Sequence, residues 1–210
     1  MFNLRSGIRL AIGGKGGVGK TTLCAIWAHL FAKDGFDVLA IDADPNVNLA
    51  LALGVSMDQC PQPLISMKKL IAERTGTGKD SLGAYFKMNP KVSDLSDEYS
   101  LKHDGMKLLV LGGITQGGGG CACPEGAFLK ALLTHTILQR QELVLVDLAA
   151  GVEFFGRASI QGIDALVIVV EPGARSIETA LNIKKMAIEL GIKKVAAVVN
   201  KITDLSLIHI

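Results

Sequence analysis

The sequence lacks a strong charge of one sign, and it lacks any long apolar run. Its 22 basic and 20 acidic side chains leave a net charge of +2, so no overall field draws the protein to nucleic acid or to an anionic membrane. No uninterrupted apolar run approaches the ~20 residues that span a bilayer. Arg9 interrupts the first apolar stretch, which argues against a signal peptide. We therefore expect a cytoplasmic protein that binds neither nucleic acid nor a membrane.

Cysteine and histidine are also scarce, with four of each in 210 residues. The histidines are scattered along the chain, whereas Cys121 and Cys123 form a close C-x-C pair. In a chain of this size, so few cysteines favour metal binding in a reducing compartment over a disulfide framework.

What the sequence does contain is an alternation of short β-rich runs and amphipathic helical runs, which is typical of βαβ units wound into a parallel sheet. The length and the 49% hydrophobic composition predict one α/β domain over residues 1–204. Several of the predicted strands are almost entirely apolar, as expected when helices cover both faces of the sheet. The predicted strands are Ile8–Ile12, Asp37–Ile41, Lys107–Leu111, Leu143–Val146, Ala165–Val170 and Lys194–Val199.

Two apolar stripes at helical spacing predict helices that face the core. The first helix ends near Gly35 and the second near Gly191, since glycine commonly follows a helix. The stripe residues are Leu23, Ile26, Trp27, Leu30 and Phe31 in the first helix, and Ile177, Leu181, Ile188 and Leu190 in the second.

Two segments depart from the pattern. Residues 58–105 are longer than an ordinary connection and combine an amphipathic segment, Leu64–Arg74, with polar sequence. We interpret them as a surface insertion, either a solvated loop or a docking site for a partner. The final hexapeptide, LSLIHI at 205–210, resembles a translated sequencing adapter. We expect a non-native tail there and a missing carboxyl-terminal part of the domain.

The clearest motif is Gly14–Thr21, which fits G-x-x-x-x-G-K-[ST] between a predicted strand and a predicted helix. In such a P-loop, backbone N–H groups and the start of the helix bind phosphates. Lys20 is predicted to neutralise the β- and γ-phosphates of ATP, the Thr21 hydroxyl to ligate Mg²⁺, and Thr22 to reach the α-phosphate. The predicted binding residues of the loop are Gly14, Lys15, Gly16, Gly17, Val18, Gly19, Lys20, Thr21 and Thr22.

The second lysine of the loop points to a particular family. The run KGGVGKTT resembles the deviant Walker A motif of the MinD, ParA and nitrogenase iron protein family of dimeric ATPases. In that family the extra lysine reaches the nucleotide of the partner subunit. The resemblance implies a homodimer in which Lys15 has this catalytic role.

Two acidic clusters resemble the family's other motifs. The run Asp42-Ala43-Asp44-Pro45 resembles switch I, and Asp147-Leu148-Ala149-Ala150-Gly151 resembles Walker B with switch II. The resemblance implies that Asp44 positions the attacking water, that Asp42 and Asp147 hold the Mg²⁺ shell, and that the Gly151 N–H senses the γ-phosphate. Phosphoryl transfer depends mainly on such positioning. Simple helix caps are the alternative for the carboxylates. Asn200 matches the family's adenine-contacting asparagine.

The C-x-C pair has two interpretations, a metal half-site and a pair of unligated cysteines. Two thiolates from each chain of a two-fold dimer would make a tetrahedral Cys₄ site suited to Zn²⁺ or Ni²⁺. Two unligated cysteines are the alternative, because C-x-C alone is a weak signal.

Other segments of the sequence favour the metal site over unligated cysteines. The segments CACPEGAFL, VDLAAGVE, EPGARSIETALNIKKMA and GIKKVAAVVNK resemble the CooC-type ATPases, which mature carbon monoxide dehydrogenase by delivering nickel. The resemblance covers residues 7–204. It implies that Cys121 and Cys123 bridge the dimer through a metal, and that the client is carbon monoxide dehydrogenase or the related acetyl-CoA synthase.

Two other functions are compatible with the same fold. An iron-sulfur electron carrier like the nitrogenase iron protein needs cysteines on two loops of each subunit, and residues 147–156 contain none. A positioning ATPase of the MinD or ParA kind would use a basic surface or a carboxyl-terminal helix, and the C-x-C pair has no task there.

Overall fold

The computed structural model describes residues 7–77, 87–112, 125, 127–128, 130–132, 134, 142–151 and 162–203. Within these residues one sheet of seven strands has the order β3-β4-β2-β5-β1-β6-β7. Only β3 and β4 pair in antiparallel fashion, and all other neighbours are parallel. The strands are β1 (Ile8–Gly14), β2 (Val38–Ala43), β3 (Leu101–His103), β4 (Met106–Val110), β5 (Leu143–Leu148), β6 (Ala165–Val170) and β7 (Lys194–Val199).

Helices lie on both faces of this sheet. They are α1 (Lys20–Lys33), α2 (Leu49–Ala52), α3 (Lys68–Thr75), α4 (Leu95–Glu98) and α5 (Ala174–Glu189), with a 3-10 turn at Leu64–Ser66. The described residues between 125 and 134 are also helical. Among the described residues no helix is long and apolar enough to cross a membrane.

The central strands contribute to two hydrophobic clusters, one on each face of the sheet. On β5, Val144 and Val146 belong to the cluster that includes α5, whereas Leu143 and Leu145 belong to the cluster that includes α1. Alternate side chains of a strand point to opposite faces, so β5 is apolar from Leu143 to Val146 because both of its faces are buried there. The mostly parallel α/β fold predicted from the sequence is confirmed.

The two predicted helical stripes were only partly correct, since Leu23, Trp27 and Phe31 of the first and Leu190 of the second pack against the buried clusters, whereas the other stripe residues are exposed. Ile26 and Leu30 of α1 are 50% and 53% exposed, and the helix instead buries Cys24, Ala25 and Ala28. Small side chains let the helix axis lie close to the sheet, so the larger residues are left at its edges. The second stripe behaves in the same way, since Ile177, Leu181 and Ile188 are exposed while Ile183 and Ala187 are buried.

The stretch 58–105 is more than a surface insertion. Leu64, Ile71, Val92 and Leu95 are buried in the α5-side cluster, and the short strand β3, which the sequence analysis missed, forms the edge of the sheet. β3 has only three residues, which is too short for the alternation of apolar and polar side chains that identifies a strand. The domain limits and the non-native tail stay predictions, because 204–210 lie outside the described residues.

Candidate nucleotide-binding site

The phosphate loop follows β1, in the middle of the sheet. Gly14, Gly17 and Gly19 have φ angles of +146°, +79° and +101°, which only glycine adopts at little cost. A Cβ on Gly14 would overlap the carbonyl oxygen of Val169, and one on Gly19 would lie 2.5 Å from the Asn200 amide nitrogen. The loop therefore needs glycine both for its backbone and for the close approach of β6 and β7.

The loop leads directly into α1. Gly19 occupies the N-cap and has no side chain to cap the helix, so the first N–H groups are available to an anion. Lys20 is 7% exposed, and its Nζ donates to the Lys15 carbonyl oxygen at 3.3 Å. Burial lowers the pKa of Lys20, and the charges of Asp147 and Asp44 oppose this. A desolvated ammonium at the start of a helix favours a phosphate ligand.

Two buried carboxylates lie beside the loop, because β2 and β5 are neighbours in the sheet. Asp42 and Asp147 occupy paired positions in the register and are 0% and 1% exposed. Burial is the largest cause that raises the pKa of Asp147 to about 7, although a hydrogen bond from Thr21 lowers it. Burial likewise raises the pKa of Asp42 to about 6.

The two carboxylates differ in their hydrogen bonds. Asp42 accepts backbone N–H groups from Asp44 at 3.1 Å, Asn48 at 3.1 Å and Leu49 at 2.9 Å, so it orders the loop between β2 and α2. Among the described residues, the Oδ1 atom of Asp147 has no hydrogen-bond partner. A buried carboxylate oxygen that accepts no hydrogen bond lowers the stability of the fold unless a cation binds it.

These residues fit Mg²⁺. The ion is commonly held by one or two carboxylates together with phosphates and water, and Asp147 with the Thr21 hydroxyl supplies that minimum. Asp42 can act through water, since its own oxygens already accept backbone donors. Bound Mg²⁺ would offset the charge that develops on the phosphate oxygens.

Two further predicted residues have internal partners. The Gly151 N–H donates to the Gly14 carbonyl oxygen at 3.1 Å, so its predicted contact with a γ-phosphate requires this hydrogen bond to be exchanged. Asp44 is half-buried and accepts the Asn46 N–H at 2.8 Å. Their roles in water positioning and γ-phosphate sensing stay predictions.

Asn200 lies at the end of β7, against the phosphate loop. Its amide nitrogen donates to the Val18 carbonyl oxygen at 2.8 Å, and its Oδ1 accepts the Lys201 N–H at 2.8 Å. Asn200 therefore braces the loop, and its contact with adenine stays a prediction.

Glu171 and Lys201 lie beside the phosphate loop, although no role was predicted for them from the sequence. Glu171 pairs with Lys15 at 3.2 Å and with Lys201 at 3.0 Å, and the Lys201 Nζ also donates to the Gly17 carbonyl oxygen at 2.7 Å. Part of the signal was available, because Glu171 directly follows a predicted strand and parallel strands end at the same edge of a sheet, but the pairing of that strand with β1 is seen only in the structure.

Cys121 and Cys123 lie outside the described residues. The described cysteines, Cys24 and Cys60, are free thiols, and burial raises the pKa of Cys24 well above its usual value. Within the described part of the chain, no group of three or more histidine, cysteine or acidic side chains is arranged to hold a metal ion.

Comparison with known proteins decides the family. The CobQ/CobB/MinD/ParA nucleotide-binding domain, called CbiA, matches residues 10–207. The chain belongs to this family. It is an ATP-binding protein and an ATPase.

Relatives of known sequence include the carbon monoxide dehydrogenase accessory protein CooC of Rhodospirillum rubrum, which is 43% identical over 94% of this chain and 75% of its own length. An uncharacterised ATP-binding protein of Methanocaldococcus jannaschii is 46% identical over 94% of this chain and 76% of its own length.

Solved structures of MinD/ParA proteins share the fold. The MinD cell division protein of Aquifex aeolicus has a TM-score of 0.62 at 23% identity, covering 95% of this chain and 71% of that one. A ParA family ATPase of Chlorobium tepidum has a TM-score of 0.63 at 19% identity, covering 96% and 77%. The P-loop ATPase fold is therefore established.

Proposed function

We propose that this chain is an ATP-dependent maturation factor that assists the insertion of nickel into carbon monoxide dehydrogenase. The observation that carries the proposal is the 43% identity, over 94% of the chain, to a protein named as a carbon monoxide dehydrogenase accessory protein. Three quarters of that relative's length is matched, so the likeness extends well beyond the nucleotide-binding motifs.

The described site supports the ATPase half of this function. Lys20 is nearly buried at the start of α1, where its ammonium would neutralise phosphate oxygens. Asp147 keeps a buried oxygen open beside the Thr21 hydroxyl, and these two groups would hold Mg²⁺. Asp44 would orient the attacking water. Each group acts by position and charge, which is what phosphoryl transfer requires.

The metal-handling half is argued from the chemistry of the C-x-C pair. Cys121 and Cys123 offer two thiolates in each chain, and soft thiolates bind Zn²⁺ and Ni²⁺ in four-coordinate sites. A homodimer supplies the other two ligands. The same dimer lets Lys15 of one subunit reach the nucleotide of the other.

ATP is proposed to couple these two half-sites. A triphosphate attracts a lysine from each subunit and so favours the dimer, and hydrolysis weakens that attraction because the diphosphate carries less charge. With ATP bound, the dimer brings the two C-x-C pairs together and completes the metal site. After hydrolysis the dimer loosens and the metal site opens. The nickel ion is the cargo, and the client is the dehydrogenase or the related acetyl-CoA synthase.

Metal stoichiometry and oligomeric state test the proposal together. Wild-type protein and a Cys121→Ala, Cys123→Ala variant would be measured with ADP and with ATP by analytical ultracentrifugation and elemental analysis. We expect about one Zn²⁺ or Ni²⁺ per dimer with ATP, lost in the variant. Iron-sulfur absorbance would instead point to an electron carrier, and lipid or DNA binding without metal would point to a positioning ATPase.

A further inference from the structure

Glu171 divides its carboxylate between two lysines that lie on either side of the phosphate loop. Its Oε1 accepts the Lys15 ammonium at 3.2 Å, and its Oε2 accepts the Lys201 ammonium at 3.0 Å. A single carboxylate therefore forms ion pairs with two ammonium groups and neutralises only one of their two charges. The pKa of Glu171 lies below its ordinary value because of Lys201 first and Lys15 second.

The backbone at Glu171 is held by its neighbours. Pro172 follows it, and a residue before proline is restricted to extended conformations. The Glu171 N–H donates to the buried Ser176 hydroxyl at 3.1 Å, which ties the end of β6 to the first turn of α5. The backbone of Glu171 is thus fixed, and its carboxylate, whose side chain is 22% exposed, is held by the two lysines.

The two lysines are held differently. Lys201 has a second acceptor, the Gly17 carbonyl oxygen at 2.7 Å, and a left-handed backbone with φ of +57°. The Lys15 backbone is fixed as well, because its carbonyl oxygen accepts the Lys20 ammonium. The Lys15 side chain, however, is half-exposed, and Glu171 is the only acceptor found for its ammonium among the described residues.

We propose that Glu171 is the positioning residue of Lys15, holding this lysine within its own subunit until a nucleoside triphosphate across the dimer interface competes for it. This inference rests on the homodimer of the proposed function. When the Lys15 ammonium moves from Glu171 to the nucleotide, Glu171 keeps its ion pair with Lys201. The carboxylate is then not left without a counter-charge, so Lys15 can return to it easily. A diphosphate offers less charge for the lysine, so Glu171 helps to distinguish ATP from ADP.

The test compares the ATP-dependent dimerisation of Glu171→Gln with that of wild type. Analytical ultracentrifugation measures the fraction of dimer as ATP is titrated. Removing the competing anion lowers the ATP concentration for half-maximal dimerisation by about two- to fivefold, the effect of one exposed ion pair. In about 0.5 M salt the half-maximal ATP concentrations of wild type and Glu171→Gln should lie closer together, since salt screens exposed ion pairs. Glu178→Gln, which removes the same charge from the exposed side of α5, leaves the titration unchanged.

ADP binding to the monomer separates this role from a structural one. If Glu171 only braced the loop through Lys201, Glu171→Gln would bind ADP more weakly than wild type, and the proposal would be overturned. The proposal predicts unchanged ADP affinity.

Lys15→Ala separates the proposal from the function on which it rests. Loss of the ATP-dependent dimer in Lys15→Ala, with Glu171→Gln behaving like wild type, overturns this inference and leaves the proposed function standing. A normal ATP-dependent dimer in Lys15→Ala overturns both.

Discussion

Replacing Asp147 with asparagine should stabilise the folded protein at alkaline pH while removing its activity. Burial raises the pKa of this carboxyl to about 7, whereas an exposed aspartate titrates near 3.9. Between about pH 4 and pH 7 the folded state binds the proton more tightly than the unfolded state does. Stability therefore falls as the pH rises through this window.

The size of the effect follows from the shift. At 1.36 kcal/mol for each unit, an ionised Asp147 destabilises the fold by about 4 kcal/mol at pH 8. The attraction of this charge to Lys20 is already contained in the pKa of about 7, so replacing the carboxylate with the neutral amide should recover about 4 kcal/mol at pH 8. For a protein of this length, that corresponds to a rise in Tm of about 8–16 °C.

Thermal unfolding without nucleotide and with a chelator measures this gain. At pH 5 wild-type Asp147 is already protonated, so the Tm of Asp147→Asn should be close to that of wild type. The control is Asp58→Asn, which removes the same charge from an exposed turn and should change the Tm little at either pH. A variant that melts lower than wild type at pH 8, or that shows an equal change at pH 5 and pH 8, would refute the reasoning.

The activity of Asp147→Asn should fall by about 100-fold or more, since the neutral amide oxygen binds Mg²⁺ more weakly than the carboxylate does. A Mg²⁺-dependent phosphate-release assay at pH 8 checks this loss. Hydrolysis at the wild-type rate would show that Mg²⁺ is held elsewhere.

Three further predictions concern the phosphate loop and the strand behind it. Lys20→Ala should reduce ATP hydrolysis by about 100-fold in the same assay, and full activity would remove this lysine from the site. Gly19→Ala should destabilise the fold by about 1–3 kcal/mol in urea unfolding, because its Cβ meets Asn200 at a left-handed φ; unchanged stability would contradict the close approach. Arg9→Met should lower stability by about 1 kcal/mol, since Asp164 loses its paired hydrogen bonds, while ATP binding stays the same; an equal loss of ATP affinity would contradict this separation.

The fold was predictable because its signals are local. The parallel strands are mostly apolar runs, and the phosphate loop has a motif whose spacing is set by its backbone conformation. The end of β7 was also placed correctly, at Val199. The short edge strand β3 was not, because three residues carry too little pattern for a strand to be recognised.

The site was only partly predictable, because some of its contacts depend on which strands become neighbours. Asp42 and Asp147 were identified from motifs, but their unequal hydrogen bonding is a property of the folded loop. Glu171 and Lys201 lie in two of the segments that resemble the CooC-type ATPases, but no role was predicted for either side chain. They reach Lys15 and Gly17 because β6 and β7 extend the sheet beside β1, which the sequence alone does not specify.

The central claim is tested most directly by the nickel content of the client. Carbon monoxide dehydrogenase would be produced together with wild-type protein, with Lys20→Ala, or with the Cys121→Ala, Cys123→Ala variant, at limiting nickel. We predict that nickel per dehydrogenase and its CO oxidation activity fall, with either variant, to the level found without this protein. Glu178→Gln should retain the wild-type level. A dehydrogenase fully loaded with nickel in the presence of the cysteine variant would contradict the account.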